Sequence, residues 1–143
     1  MNDGFILKTE MTPIKLRRCV RFMSRETFET QAPTKRSVFI SINTPGYPLA
    51  KPKGSRWYGG LVWLKNDNSR PIPKNEVDLI LQFVETWQNY DFIVHCDAGI
   101  SRSAAVAQYI GARLDRKVVG VDSDGEHANA VIKSALMRRL KRQ

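Results

Sequence analysis

Apolar residues recur along this chain first at the spacing of strands and later at that of helices. Leu16 to Met23 interleaves Val20, Phe22 and Met23 with Arg17, Arg18 and Arg21, the pattern of a strand with one buried face. Ser24 is placed to cap a short helix that runs to about Gln31, and Pro33 breaks the run. Ser37 to Ile42 is rich in β-branched and aromatic residues and is closed by Asn43-Thr44-Pro45-Gly46, so it reads as a buried strand and a turn. Tyr47 to Gly60, with two prolines and three glycines, is expected to be an irregular exposed loop, and Leu61 to Leu64 the next strand. From Ile72 the period changes. Val77, Ile80, Leu81, Val84 and Trp87 recur at three- and four-residue steps, which predicts an amphipathic helix with Pro73 in its first turn. Phe92-Ile93-Val94 is a short apolar strand, Cys96 to Arg102 a polar turn, and Ala104 to Leu114 a buried helix. An acidic turn from Asp122 to Glu126 precedes a last amphipathic stripe of Ala128, Val131, Ile132, Ala135, Leu136 and Leu140.

The 143 residues, 42% of them hydrophobic, suffice for one proper core and are too few for two ordinary domains. A single domain over residues 1–143 is expected, its core from about 16 to 140, with a basic N-terminal arm and a C-terminal helix. No run approaches the roughly 18 apolar residues of a membrane span. Cys19 and Cys96 lie far apart and residues 1–20 show no secretory signal, so a reducing, cytoplasmic setting is expected. The net charge of +9 is uneven: +7 over residues 1–60, −3 over 61–130 and +5 over 131–143. Such basic ends attract anions in a salt-dependent way, nucleic acid and phosphorylated substrates alike, or serve only as a solubilising surface.

The candidate chemistry lies in His95-Cys96-Asp97-Ala98-Gly99-Ile100-Ser101-Arg102-Ser103, on a loop that leaves an apolar strand and enters a helix. Backbone N–H groups of such a loop, with the helix N-terminus, present positive charge to an anion. Arg102 adds a planar fork that can hold two phosphoryl oxygens. The same field should ionise the Cys96 thiol well below its free value of about 8.5. Gly99 permits a tight turn and close approach. Asp97 and Ser101 are expected to contribute mainly backbone N–H groups. Cys19, on a strand with basic neighbours, reads as structural rather than as a redox partner of Cys96. Trp57, Tyr58 and Trp63 read as packing or loop anchors.

His95-Cys96, five residues, then Arg102-Ser103 resembles the signature of the cysteine-based protein tyrosine phosphatases, and Ala98 to Ser103 resembles their dual-specificity branch. The stretch from Ser37 to Leu114, more than half of the chain, is similar to small dual-specificity-like phosphatases of bacteria and phages. The resemblance and the strand-loop-helix order together imply one α/β domain. Its central sheet would be mostly parallel, of about four or five strands, with helices on both faces and the site at the C-terminal strand ends.

What the resemblance implies for chemistry is a cysteinyl-phosphate route without a metal or other cofactor: Cys96 attacks phosphorus, a general acid protonates the departing oxygen, and water hydrolyses the intermediate. His95 would support the loop from behind, and Ser103 would assist loss of the thiolate. The family's acid is an Asp some tens of residues upstream. Asp67, 29 residues before Cys96, is the best match, although its surroundings lack the Trp-Pro-Asp triplet of larger tyrosine phosphatases. Asp78, inside the predicted helix, reads as a solvated helix residue.

The expected partner is a phosphorylated protein or peptide, with phosphotyrosine or phosphoserine/threonine as the target. A recognition module that binds phosphate without turnover is a second class. Phosphatases of RNA 5′ ends or of phosphoinositides are a third, and Ser101, Ser103 and Asp97 fit neither pattern well. Nucleic-acid binding through Arg138 to Arg142 is an accessory option. Rhodanese-like sulfur transferases and arsenate reductases also place a Cys on an anion-binding loop.

Overall fold

The computed structural model describes residues 19–33, 36–63, 66–68 and 71–140. Among the described residues five strands and four helices follow in the order β1 (Cys19–Ser24), α1 (Arg25–Thr30), β2 (Ser37–Ile42), β3 (Trp57–Trp63), α2 (Lys74–Thr86), β4 (Asp91–Cys96), α3 (Arg102–Leu114), β5 (Lys117–Gly120) and α4 (Ala130–Leu140). The strands form one all-parallel sheet in the order β3-β2-β4-β1-β5. The fold is thus the expected α/β architecture. Leu16 to Arg18, Leu64, Lys141 and Arg142, which the sequence placed on a strand, on the next strand and in the basic tail, lie outside the described residues.

Strand periodicity divides the core into two layers. Val20 and Phe22 of β1, Val38, Ile40 and Ile42 of β2, and Phe92, Val94 and Cys96 of β4 face the three longer helices. Met23, Phe39 and Ile93 face the other way, where Phe28 of α1, Ala50 and Trp57 cover them. Among the described residues, the second face is covered by one short helix and a loop. Within α2, Ile80 and Val84 are fully buried, and α4 buries Ile132 and Leu136 against its neighbours. Val131, assigned to the apolar stripe, is instead 55% exposed, because a helix starting at Ala130 turns that position to solvent.

Two elements differ from their sequence reading. The third strand begins at Trp57, not Leu61, so Gly59 and Gly60 belong to a strand rather than to a loop. Their role is close packing: a Cβ on Gly59 would meet the Trp87 ring at 2.8 Å, and one on Gly60 the Phe39 ring at 2.3 Å. The fifth strand, Lys117–Gly120, went unread, since four residues are too few to display a period; pairing with β1 creates it. No helix among the described residues is long and apolar enough to cross a membrane.

In an all-parallel sheet every strand ends on the same edge. That edge gathers Ser24, Asn43, Cys96 and Val121, each at or just after a strand end, and beyond β3 the Asn66–Asn68 segment. Ser24 stands beside Cys96 in the register of β1 and β4.

Candidate active site

Cys96 is the last residue of β4 and Arg102 the first of α3, and the five residues between them form the loop. Three loop carbonyls are held from outside. The Arg25 N–H donates to Asp97 O at 3.1 Å, the Ser123 hydroxyl to Gly99 O at 3.0 Å, and the Asn129 N–H to Ser101 O at 2.9 Å. In a trans peptide the N–H points opposite to the preceding carbonyl. The N–H groups of Ala98, Ile100 and Arg102 consequently turn away from these partners, toward the hollow of the loop, where their partial charges give it a positive potential.

Gly99 makes this curl feasible. Its φ of +71° lies in the left-handed region, and a Cβ there would come within 2.3 Å of the Ser24 nitrogen and 2.4 Å of the Met23 carbonyl carbon. The loop thus lies directly on the backbone at the end of β1. Ser24 in turn caps α1 by accepting from the Thr27 N–H, and its own N–H donates to Asp122 Oδ2 at 2.7 Å.

The side chains of the signature point to three different jobs. The Cys96 sulfur is buried and lies 3.1 Å from the buried Ser103 hydroxyl, which can donate to it when it is a thiolate. Arg102, 4% exposed, uses its outer nitrogens for protein contacts: Nη1 donates to the Asn66 carbonyl, and Nη2 to Thr44 Oγ1 at 3.2 Å and Asp97 Oδ2 at 3.1 Å. Its Nε–H is buried without a hydrogen-bond partner among the described residues.

His95 faces away from the site, because adjacent strand residues alternate between faces. Its ring stacks on Phe28 at 4.4 Å, its Nε2 is 2.6 Å from Ser41 Oγ, and its Nδ1 is 3.3 Å from Cys96 O. Asn43 Nδ2 donates to Ser41 Oγ at 2.9 Å, leaving the Ser41 proton for Nε2, and a carbonyl only accepts. The neutral ring with its proton on Nδ1 satisfies every partner. Burial pushes the His95 pKa down to about 4, against the Cys96 carbonyl, which favours the protonated ring; nearby Arg25 adds to the lowering.

Asp67 is half-buried and sits between two residues tied to the loop. Asn66, fully buried, gives its carbonyl to Arg102; Asn68, at φ +74°, accepts from Ser101 Oγ at 3.4 Å and from Asn129 Nδ2 at 2.9 Å. The segment bearing Asp67 is therefore bracketed against the signature loop. Asp78 is elsewhere, on α2, held by Lys74 at 3.3 Å and Arg139 at 2.6 Å, and is the solvated helix residue it was read as. Cys19 opens β1 while Ser24, at its other end, pairs with Cys96. Five residues of strand, about 16 Å, separate the two cysteines' levels, too far for a disulfide. Among the described residues no group of three or more His, Cys, Asp and Glu is placed to hold a metal ion.

Sequence reasoning missed Ser41, Asn43, Thr44, Asn66 and Asn68, and it gave Asp97 only a backbone role. The Asp97 carboxylate is in fact paired with Arg102 and accepts from the Thr44 hydroxyl. Polar residues just beyond each parallel strand were the available signal. No protein-family model matches the chain, and no curated protein matches it in sequence.

Two outcomes follow from this geometry. Gly99→Ala should lower unfolding stability by about 1–3 kcal/mol, read from urea midpoints, and weaken phosphate binding; unchanged midpoints would contradict the close approach. For His95, the unfolded chain binds a proton between pH 6.5 and about 4 that the folded chain does not. Stability should fall as pH drops through that window, by about 3 kcal/mol in all, and His95→Asn should flatten this part of the stability profile.

Proposed function

We propose that the chain hydrolyses phosphomonoesters through a cysteinyl-phosphate, with phosphotyrosine or phosphoserine/threonine in proteins as substrates. The observation that carries this reading is a buried cysteine and a buried arginine with an unpartnered Nε–H on one loop whose N–H groups turn inward. The unpaired donor does not help the fold. A buried unpaired donor costs roughly 1–3 kcal/mol, and it is repaid when a phosphoryl oxygen accepts from it.

In the first step the Cys96 thiolate attacks phosphorus, an S–P bond forms and the P–O bond to the leaving group breaks. Asp67, protonated, gives its proton to the departing oxygen. The trigonal-bipyramidal phosphoryl group rests on the loop N–H groups and Arg102, which hold its oxygens more strongly as charge builds. In the second step Asp67, now a carboxylate, takes a proton from water as that oxygen attacks phosphorus. The S–P bond breaks, inorganic phosphate leaves, and the Ser103 hydroxyl, 3.1 Å from the sulfur, donates to the returning thiolate. His95 keeps the end of β4 in place from the opposite face.

The positions of Cys96, Arg102 and Ser103 favour turnover over a recognition module, since a module needs no nucleophile beside a hydroxyl. An aqueous, reducing compartment suits a free thiol at this position.

Hydrolysis of an aryl phosphate should fall at least about 10³-fold in Cys96→Ser, with the phosphoenzyme trapped from wild type by rapid acid quench and absent from the variant. Asp67→Ala should reduce turnover of alkyl phosphates by roughly 10²–10⁴-fold and of p-nitrophenyl phosphate much less, because that leaving group needs little protonation. Equal rates for wild type and Cys96→Ser would remove Cys96 from the reaction. Equal, negligible effects of Asp67→Ala on both substrates would remove Asp67.

A further inference from the structure

Asp97 is the one acidic side chain within the loop, next to the nucleophile, where its charge opposes that of an incoming phosphate. Its Oδ2 nevertheless sits 3.1 Å from Arg102 Nη2 and accepts from Thr44 Oγ1, and Thr44 Oγ1 itself accepts from Nη2 at 3.2 Å. Three groups from three places in the chain close into a triangle: the loop, the turn after β2 and the start of α3. The Asn66 carbonyl, beyond β3, takes Nη1. All the acceptors that Arg102 has among the described residues thus gather on its two outer nitrogens, and Nε remains the buried donor without one.

We propose that Asp97 is the positioning residue for Arg102. With Thr44 and the Asn66 carbonyl it clamps the outer edge of the guanidinium, so that the Nε–H is presented to a phosphoryl oxygen. The role rests on the phosphate-binding reading of the loop. It is a positioning role, since the carboxylate acts on phosphate through Arg102.

Two features favour a clamp over a carboxylate that merely occupies the phosphate's seat. The first is that Asp97 is anchored independently of Arg102: Thr44 donates to its side chain, and the Arg25 N–H fixes its carbonyl at 3.1 Å. An occupant that must leave for substrate would have to break the Thr44 bond as well. The second is charge. Arg102 is a cation only 4% exposed, so a nearby counter-charge favours it, and Asp97 is its ion-pair partner in the structure. Removing that partner would leave a long side chain free to rotate away from the loop, and ordering it again would be charged against phosphate binding.

The two alternatives differ in sign. If Asp97 positions Arg102, losing it weakens phosphate binding; if it competes with phosphate or only repels it, losing it tightens binding. The experiment measures the inhibition constant of inorganic phosphate against p-nitrophenyl phosphate hydrolysis, with KM and kcat, for wild type, Asp97→Asn, Asp97→Ala, Asp97→Glu and Thr44→Val.

The clamp gives a phosphate inhibition constant and KM raised roughly tenfold in Asp97→Ala and about threefold in Asp97→Asn and Thr44→Val, with kcat changed less. Asp97→Glu, which keeps the charge, recovers part of the affinity. Asn and Val at these positions preserve shape, so they report even if the Ala variant does not fold. A phosphate constant equal to or lower than wild type in Asp97→Asn and Thr44→Val overturns the clamp while leaving the phosphatase reading intact. Wild-type protein that neither binds phosphate nor hydrolyses the ester overturns both.

Discussion

Arg102 carries a positive charge, and almost none of its surface reaches solvent. Water cannot hydrate it, so protein groups must, and they are drawn from across the molecule. Asn66 follows β3, Thr44 follows β2, and Asp97 follows β4. A parallel sheet ends all these strands on one edge, which is why residues 36 and 58 positions away in sequence reach one guanidinium. The edge is organised around the cation, whose Nε–H alone is left without an acceptor among the described residues.

The loop beneath it has little freedom. β1 and β4 run side by side with Ser24 level with Cys96, so the chain leaving Cys96 must cross the end of β1 at van der Waals distance. Gly99 satisfies that constraint at +71° in φ, and the Arg25, Ser123 and Asn129 donors hold the outward carbonyls. Three inward N–H groups are a by-product of these outward bonds. The positive potential inside the loop follows from how the backbone's acceptors are satisfied, and it adds to the charge of Arg102.

Behind the loop, the His95 to Ser41 to Asn43 chain does for Cys96 what the Thr44 and Asp97 pair does for Arg102. A buried neutral imidazole, stacked on Phe28, ties the Cys96 carbonyl to the second face of the sheet. Asn43 also accepts from the Ala50 N–H at 3.1 Å, so the loop that covers this face is joined to the same chain. Strand alternation keeps the two systems apart: sulfur on the helix side, imidazole on the other.

Much of this could be read from residues. The strands at Ser37–Ile42 and around Phe92–Val94, the helices α2 and α3, the Ser24 cap and the tight turn at Gly99 all follow from local pattern, because period, capping and turn chemistry act over a few positions. The strand at Lys117–Gly120 does not, since four residues carry no period, and the glycines of β3 look like a loop until Trp87 and Phe39 are laid over them. The Asp97 carboxylate is the sharpest case. Sequence by itself determined that an acid stands beside Cys96, and only the tertiary structure decided that it faces Thr44 and Arg102. Those partners meet through sheet packing, and a contact between residues 53 positions apart leaves no local trace.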